Sequence, residues 1–333
     1  MQTLKEFKRT LEDRILKCDQ VIITPHKSAD FDAISSAIGF SLIAKKLNKP
    51  YYIFMNDDLS KIDPGVKMII EENKSKMGFI NLEQYQQIKG KNDLLIMTDV
   101  NKSDLIYLEN NLHDFSHIVI LDHHREGETT VQTEDKYIKE NASSACEIMT
   151  DLLCLFNIKY DKDVATLLYT GIFLDTDHLR KLKSSSTMRA LAKLMERGAD
   201  LDKVNSFFEE DFVSDRRIQM LVNKADFFTY TVVAAIADDD MIYTKEELSK
   251  VADYLLRFKA DASFAIGRID EKTVSISARG KGKVDVADIM TQMGGGGDFL
   301  KSATKIESDS TKKPAKVLKK IITPSFYKTL TLN

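Results

Sequence analysis

Acids and imidazoles stand at the ends of apolar runs in three places: TPHKSADFD (24–32), MTDV (97–100) and LDHH (121–124). FLDTD (173–177) adds a further acid. Only six histidines occur in 333 residues, and two of them are adjacent. The set His26, Asp30, Asp32, Asp99, Asp122, His123, His124 and Asp175 has the donor types of a metal centre. Imidazole and carboxylate without thiolate favour Mn²⁺, Fe²⁺, Co²⁺ or Zn²⁺ over a soft-metal site. Four carboxylates overcharge a single ion, whereas two divalent ions can share them. Paired ions about 3.5–4 Å apart suit phosphoester cleavage, because both neutralise charge at phosphorus and one water becomes nucleophilic. The spacing HxxxDxD lets one loop serve both ions. Asp32, just ahead of AISSAIG, reads on its own as a helix N-cap.

Such residues need a scaffold that brings distant strand ends together. QVIITPH, YYIFMND, MGFINL, DLLIMTDV and HIVILDHH read as buried strands, with helical spacing over 4–17, 32–49, 64–75 and 105–112 between most of them. Apolar strands alternating with helices imply a parallel sheet with helices on both faces, and ligands gather at the carboxyl ends of its strands. From 143 to about 226 the chain reads as successive helices. Then FFTYTVVAAIADDD is strand-like and KEELSKVADYLLRFK is a helix. ASFAIGRIDEKTVSISARG gives two strands about a turn at Asp270–Lys272, and VDVADIMTQM is a helix running into GGGGD. The expected α/β organisation is a first domain over 1–190, a helical linker over 191–226, a smaller mixed-sheet domain over 227–325 and a tail over 326–333.

Composition bounds the function. Apolar residues make up 43% and charged residues 30%, a globular profile. No apolar run is long enough to cross a bilayer, and the charged N-terminus lacks a signal peptide's apolar centre. Three cysteines without CxxC spacing point to the cytoplasm and away from a disulfide framework. A net charge of −3 supplies no field for duplex nucleic acid, so an anionic substrate needs local cations.

In their order, HKSADFD, the TDV acid, DHH and the FLDTD acid resemble the four motifs of the DHH phosphoesterase superfamily. SISARG and GGGGD resemble its DHH-associated substrate domain, so the likeness runs from about residue 18 to about 308. DHHREGE, ENASSACEIMTDLL and VADIMTQMGGGGD are most similar to the catalytic portion of bacterial cyclic di-AMP phosphodiesterases, here in a stand-alone soluble form. The resemblance implies two divalent ions, with Mn²⁺ the expected pair. His26 and Asp30 bind one, Asp32, His123 and Asp175 the other, and Asp99 bridges them. His124 then faces the phosphate while Asp122 orients His123. Arg125, Ser143, Ser144, Ser277, Arg279, Gly294, Gly295, Gly296, Gly297 and Asp298 are the implied substrate contacts. Plainer readings stand beside these: a solvated Arg279, a flexible turn at the glycines, and helix capping by the serines. His113, His117 and His178 read as surface or core histidines. The family's glycine run ends in histidine, and Asp298 in its place is expected to read an adenine amino group or pair with a nearby cation. The implied activity is hydrolysis of cyclic di-AMP to pApA, and homodimers are common in the family. The alternatives are an oligoribonuclease that also removes phosphate from 3′-phosphoadenosine 5′-phosphate, and a nucleotide sensor with impaired catalysis.

Overall fold

The computed structural model describes residues 2–56, 59, 62, 64–73, 77–209 and 211–330, the side chains of 64, 73 and 324–330 excepted. It divides into two compact units, Met1–Glu209 and Glu210–Asn333.

The first unit runs α1 (Leu4–Lys17), β1 (Val21–Thr24), α2 (Phe31–Lys46), β2 (Tyr51–Phe54), α3 (Pro64–Asn73), β3 (Phe79–Ile80), α4 (Leu82–Ile88), β4 (Leu94–Thr98), β5 (His117–Asp122), β6 (Lys136–Ile138), α5 (Ala145–Leu155), α6 (Lys162–Asp175), α7 (Ser185–Glu196) and α8 (Leu201–Ser206). Its sheet has the order β3-β2-β1-β4-β5-β6, parallel throughout. The central strands β1 and β4 are buried throughout, and alternate residues of β1, β4 and β5 divide between two cores. Val21, Ile23, Leu94, Ile96, Val119 and Leu121 face one, and Ile22, Leu95, Met97 and Ile120 the other. The order in which strands are added reverses between β1 and β4, which opens a crevice at their carboxyl ends.

Several elements differ from their sequence reading. The helix expected over 105–112 is two short 3₁₀ segments, Ser103–Leu105 and Glu109–Asp114, in keeping with the poor helix propensity of Asn110 and Asn111. The helix expected over 64–75 is described as far as Asn73, with 74–76 outside the described residues. β6 escaped notice because its three residues are all only partly buried, without an apolar run.

The second unit runs α9 (Phe212–Val222), β7 (Ala225–Thr229), β8 (Val232–Ile236), α10 (Lys245–Leu255), β9 (Ala262–Arg268), β10 (Thr273–Gly280), α11 (Val286–Thr291), β11 (Gly296–Gly297), β12 (Lys301–Glu307) and α12 (Lys312–Leu330). Its sheet, β11-β12-β10-β9-β8-β7, is mixed, with β8 and β9 parallel and the other pairs antiparallel. FFTYTVVAAI is a hairpin rather than one strand, because the chain turns at Tyr230–Thr231. The segment expected as a linker is split: Leu191, Leu194 and Val204 join the first unit's core, Ile218 and Leu221 the second's. α12 continues to Leu330, into the expected tail, whose last three residues lie outside the described residues. Among the described residues no helix is long and apolar enough to cross a membrane.

Candidate metal centre

His26 follows β1, Asp99 follows β4, Asp122 ends β5 and His123 follows it, so the crevice at the strand ends collects them. Asp30 and Asp32 arrive on the first turn of α2, and Asp175 is the last residue of α6. Gly171, one turn before Asp175, is required for this approach. A methyl there would lie 2.6 Å from Cys146 Sγ and 2.9 Å from Asp32 Cα.

The carboxylate of Asp99 lies between two groups. Its Oδ2 is 3.6 Å from His26 Nε2, which is 3.9 Å from Asp30 Oδ1. Its Oδ1 is 3.2 Å from His123 Nε2, which is 3.1 Å from Asp175 Oδ2 and 3.8 Å from Asp32 Oδ2. Asp99 has φ 56°, a left-handed conformation that Asp and Asn tolerate better than other side chains. This backbone turn at the strand end aims both oxygens into the crevice.

Local hydrogen bonds hold the acids without exhausting them. Asp30, not Asp32, is the N-cap of α2, its Oδ1 accepting from Asp32 N and Ala33 N at 3.0 and 3.1 Å. Asp32 instead accepts from the start of α5, with Ala145 N at 2.6 Å from Oδ2 and Cys146 N at 2.8 Å from Oδ1. Each carboxylate oxygen has two lone pairs, so one remains on each oxygen of Asp32.

Charge is severely crowded. Burial works against protonation of the histidines, yet Asp30 and Asp99 raise His26 to about 10, and Asp175, Asp99 and Asp32 raise His123 to about 11. Burial also works against the charge of Asp99, but the two imidazoles hold its carboxyl below the usual range. Asp32 is pushed well above that range by burial and by the charges of Asp99 and Asp175. Asp99 Oδ1 and both ring nitrogens of His123 are buried without a hydrogen bond. Unsatisfied buried polar atoms are costly, and three of them beside surplus carboxylate fit a site built to be completed by cations. The groups His26–Asp30–Asp99 and Asp32–His123–Asp175 each place ligand atoms within 4.8 Å of one another.

His124 is set apart. Asp122 Oδ1 lies 2.9 Å from its Nδ1 and accepts the main-chain N–H groups of His123 and His124 at 2.7 and 3.1 Å. The expectation that Asp122 orients the His123 ring is therefore corrected to His124. Residues two apart in extended chain share a side, and adjacent ones do not. Asn101, which carried no functional reading in the sequence, locks this pair. Its Nδ2 donates to Asp122 Oδ2 at 2.6 Å and to the His124 carbonyl at 3.2 Å, while its Oδ1 accepts from Thr130 Oγ1 at 3.0 Å. The available signal was a polar residue two positions past the Asp99 strand end. Lys102, also unread, joins His26, Asp30, Asp99 and His124 in lining a cavity of about 320 Å³.

The expected substrate contacts are placed less uniformly. Ser144 caps α5, accepting from Glu147 N, and Ser143 Oγ is 2.8 Å from Thr187 Oγ1; both serines are buried and their hydroxyls engaged, which is their capping and packing role. Arg125 is exposed, 3.4 Å from Glu140. In the second unit Arg279 donates to Asp253 at 2.9 Å and to Ser277 Oγ at 3.2 Å. Gly294 and Gly295 donate to Thr291 and Met290 carbonyls. A methyl at Gly295 would meet the Ala303 carbonyl at 2.2 Å, and Gly297 has φ 148°. Gly296 and Gly297 pair with Ala303 and Ser302, so the run serves a tight strand turn. Asp298 neither pairs with a cation nor stands free: its Oδ1 accepts from Leu300 N and Lys301 N, both at 2.9 Å, to close that turn. His113, His117 and His178 lie beside Asp114, Arg14 and Phe173 respectively.

Residues 20–172 match the DHH family, N-terminal domain. Over 326 residues the chain is 32% identical to the cyclic-di-AMP phosphodiesterase GdpP of Bacillus subtilis, covering 95% of this chain and 49% of that protein. The chain thus spans about half the length of the relatives of that kind. It is 26% identical over 303 residues to the bifunctional oligoribonuclease and PAP phosphatase NrnA of Mycoplasma genitalium, covering 85% of this chain and 87% of that protein. In structure it is similar to an exopolyphosphatase-related protein from Bacteroides fragilis, with a TM-score of 0.75, 18% identity and 98% of each chain covered, a likeness of fold.

Proposed function

Because residues 20–172 belong to the DHH family, we propose that the protein is a two-metal phosphodiesterase that hydrolyses cyclic di-AMP to pApA. The observation that carries the substrate is the 32% identity to GdpP over 95% of the chain, both units included. In this reading His26 and Asp30 would hold one ion, Asp32, His123 and Asp175 would hold the other, and Asp99 would be shared by both. Mn²⁺ is the preferred pair, since imidazole ligands suit it better than Mg²⁺. When bound, the ions neutralise charge at phosphorus and acidify water.

The remaining steps belong to the chain. Asp122 fixes the Nδ1 side of His124, which turns Nε2 toward the cavity, where it protonates the departing ribose oxygen. The Asp122 hydrogen bond raises the His124 pKa and keeps that proton available. Lys102 supplies positive charge at the cavity wall, and Arg279 is the second unit's candidate phosphate contact.

Asn101→Ala is expected to lower kcat by roughly 10- to 100-fold with metal affinity retained, as for loss of a residue that orients an active group. Steady-state rates at saturating metal, beside a metal titration, check this. An equal loss of metal affinity would place Asn101 in the metal shell instead.

A second reading is favoured by the near full-length match to NrnA: cleavage of short RNA and of 3′-phosphoadenosine 5′-phosphate by the same centre. A side-by-side assay with Mn²⁺ on cyclic di-AMP, pApA, 3′-phosphoadenosine 5′-phosphate and a short RNA separates the two. Fast loss of cyclic di-AMP is the expected result. An intact cyclic dinucleotide beside degraded RNA transfers the function to the second reading.

A further inference from the structure

Glu147 is a fully buried acid that neither the metal centre nor the proposed reaction uses. It stands in the first turn of α5, three residues after the N-cap Ser144, whose Oγ accepts from Glu147 N at 3.0 Å. Ser-x-x-Glu is the spacing of a capping box, in which the acid reaches back to the cap's own N–H. Here the carboxylate goes one residue further, to Ser143 N at 2.9 Å, and then leaves the helix. Its Oε2 also accepts from Thr187 Oγ1 at 2.7 Å and its Oε1 from Ser186 Oγ at 2.5 Å, both in the first turn of α7. Lys139 Nζ stands 3.6 Å from Oε1.

The hydroxyls of this network run in one direction. Thr187 has a single hydroxyl proton and a carboxylate only accepts, so Thr187 donates to Glu147. Ser143 Oγ, 2.8 Å from Thr187 Oγ1, must then donate to it, and itself accepts from Lys183 N at 3.1 Å. Burying a carboxylate is costly, and an apolar side chain would pack α5 on α7 without that cost. What the polar network adds is direction: it fixes the first turn of α5 against both α7 and the segment 139–143. That turn has a second task. Its Ala145 and Cys146 N–H groups donate to Asp32 Oδ2 and Oδ1 at 2.6 and 2.8 Å, one to each oxygen. Two donors on two oxygens fix the plane of the Asp32 carboxylate, and they shift only if the turn shifts.

We propose that Glu147 is a positioning residue for the metal centre. By locking the first turn of α5 it aims the N–H groups that orient Asp32, and so sets the affinity of the ion that Asp32, His123 and Asp175 would hold. The inference rests on the two-metal reading and adds to it a residue that is not itself a candidate ligand.

The test is Mn²⁺ binding by the full chain, read by calorimetry and, in soaked crystals, by the anomalous peak at each position. Glu147→Ala is expected to weaken one of the two ions by roughly 10- to 100-fold, the usual effect of losing a group that orients a metal ligand. The peak beside Asp32 should fade while the peak beside His26 stays. Glu147→Gln, which keeps an oxygen for Ser143 N and Thr187 Oγ1, should recover most of the affinity. Leu153→Ala removes a buried side chain from the same helix, outside the network, and should lower Tm yet bind both ions as the wild type does. Thr187→Val keeps the volume and removes the hydroxyl, so it should weaken the same ion several-fold; it takes the place of the alanine variant if that one does not fold. Unchanged binding, a loss shared equally by both ions, or the same selective loss in Leu153→Ala overturns the inference and leaves the two-metal reading standing. A wild type that holds fewer than two ions overturns both.

Discussion

Asp99→Asn is expected to reduce kcat on the order of 10³-fold while leaving the fold in place, the scale of losing a preorganised charge from a transition-state site. Asp99 faces His26 through one oxygen and His123 through the other, so its loss is felt by both proposed ions. An amide keeps the shape but gives up the charge and one acceptor. Asn also tolerates the left-handed backbone at this position (φ 56°), which Ala would strain. The substitution therefore isolates charge from conformation. Circular dichroism, thermal melting and a rate on the cyclic dinucleotide check it together. Activity near wild type would remove Asp99 from the bridging role, and a melted protein would make it a structural acid.

Metal removal is the second large effect. Chelation should silence the proposed hydrolysis, with Mn²⁺ restoring more rate than Mg²⁺. Loading should also be coupled to protons. Without metal, His26 and His123 titrate at about 10 and 11 rather than at 6.5, so both carry protons at pH 7. A ligand imidazole must be neutral, and binding two ions at pH 7 is therefore expected to release at least two protons. Apparent affinity should rise with pH until the imidazoles have lost their protons, at about 10 and 11. The sign for folding is the reverse. Raised imidazoles stabilise the metal-free protein fully below about 6.5, and this contribution is lost as pH climbs through 10 and 11. The gain in Tm on adding metal should thus grow with pH. Calorimetric titration in two buffers of different ionisation enthalpy counts the protons. Zero release would mean that the imidazoles are not displaced from their acids by metal.

Local pattern made the first sheet legible. β1, β4 and β5 are continuous apolar runs ending in chemistry-bearing residues, which is how a doubly covered parallel strand reads. What pattern could not carry was partnership. Asp32 reads as a cap in sequence, and only the position of α5 decides that it turns to Ala145 and Cys146 while Asp30 takes the cap. Asn101 gave no signal because its value lies in contacts to Asp122 and Thr130, 21 and 29 residues away. β12 alternates Lys, Ser, Ala, Thr, Lys with little apolar content, so it passed unread, and with it the reason for the glycine run. Asp298 read as a substrate residue because a resemblance supplies positions, whereas its hydrogen bonds to Leu300 and Lys301 follow from turn chemistry.

The most direct test is anomalous diffraction at the manganese edge from a crystal soaked in Mn²⁺. The account predicts two peaks about 3.5–4 Å apart, one beside His26 and Asp30, the other beside Asp32, His123 and Asp175, with Asp99 between them. A single peak away from Asp99, or none in the crevice at the ends of β1, β4 and β5, would contradict it.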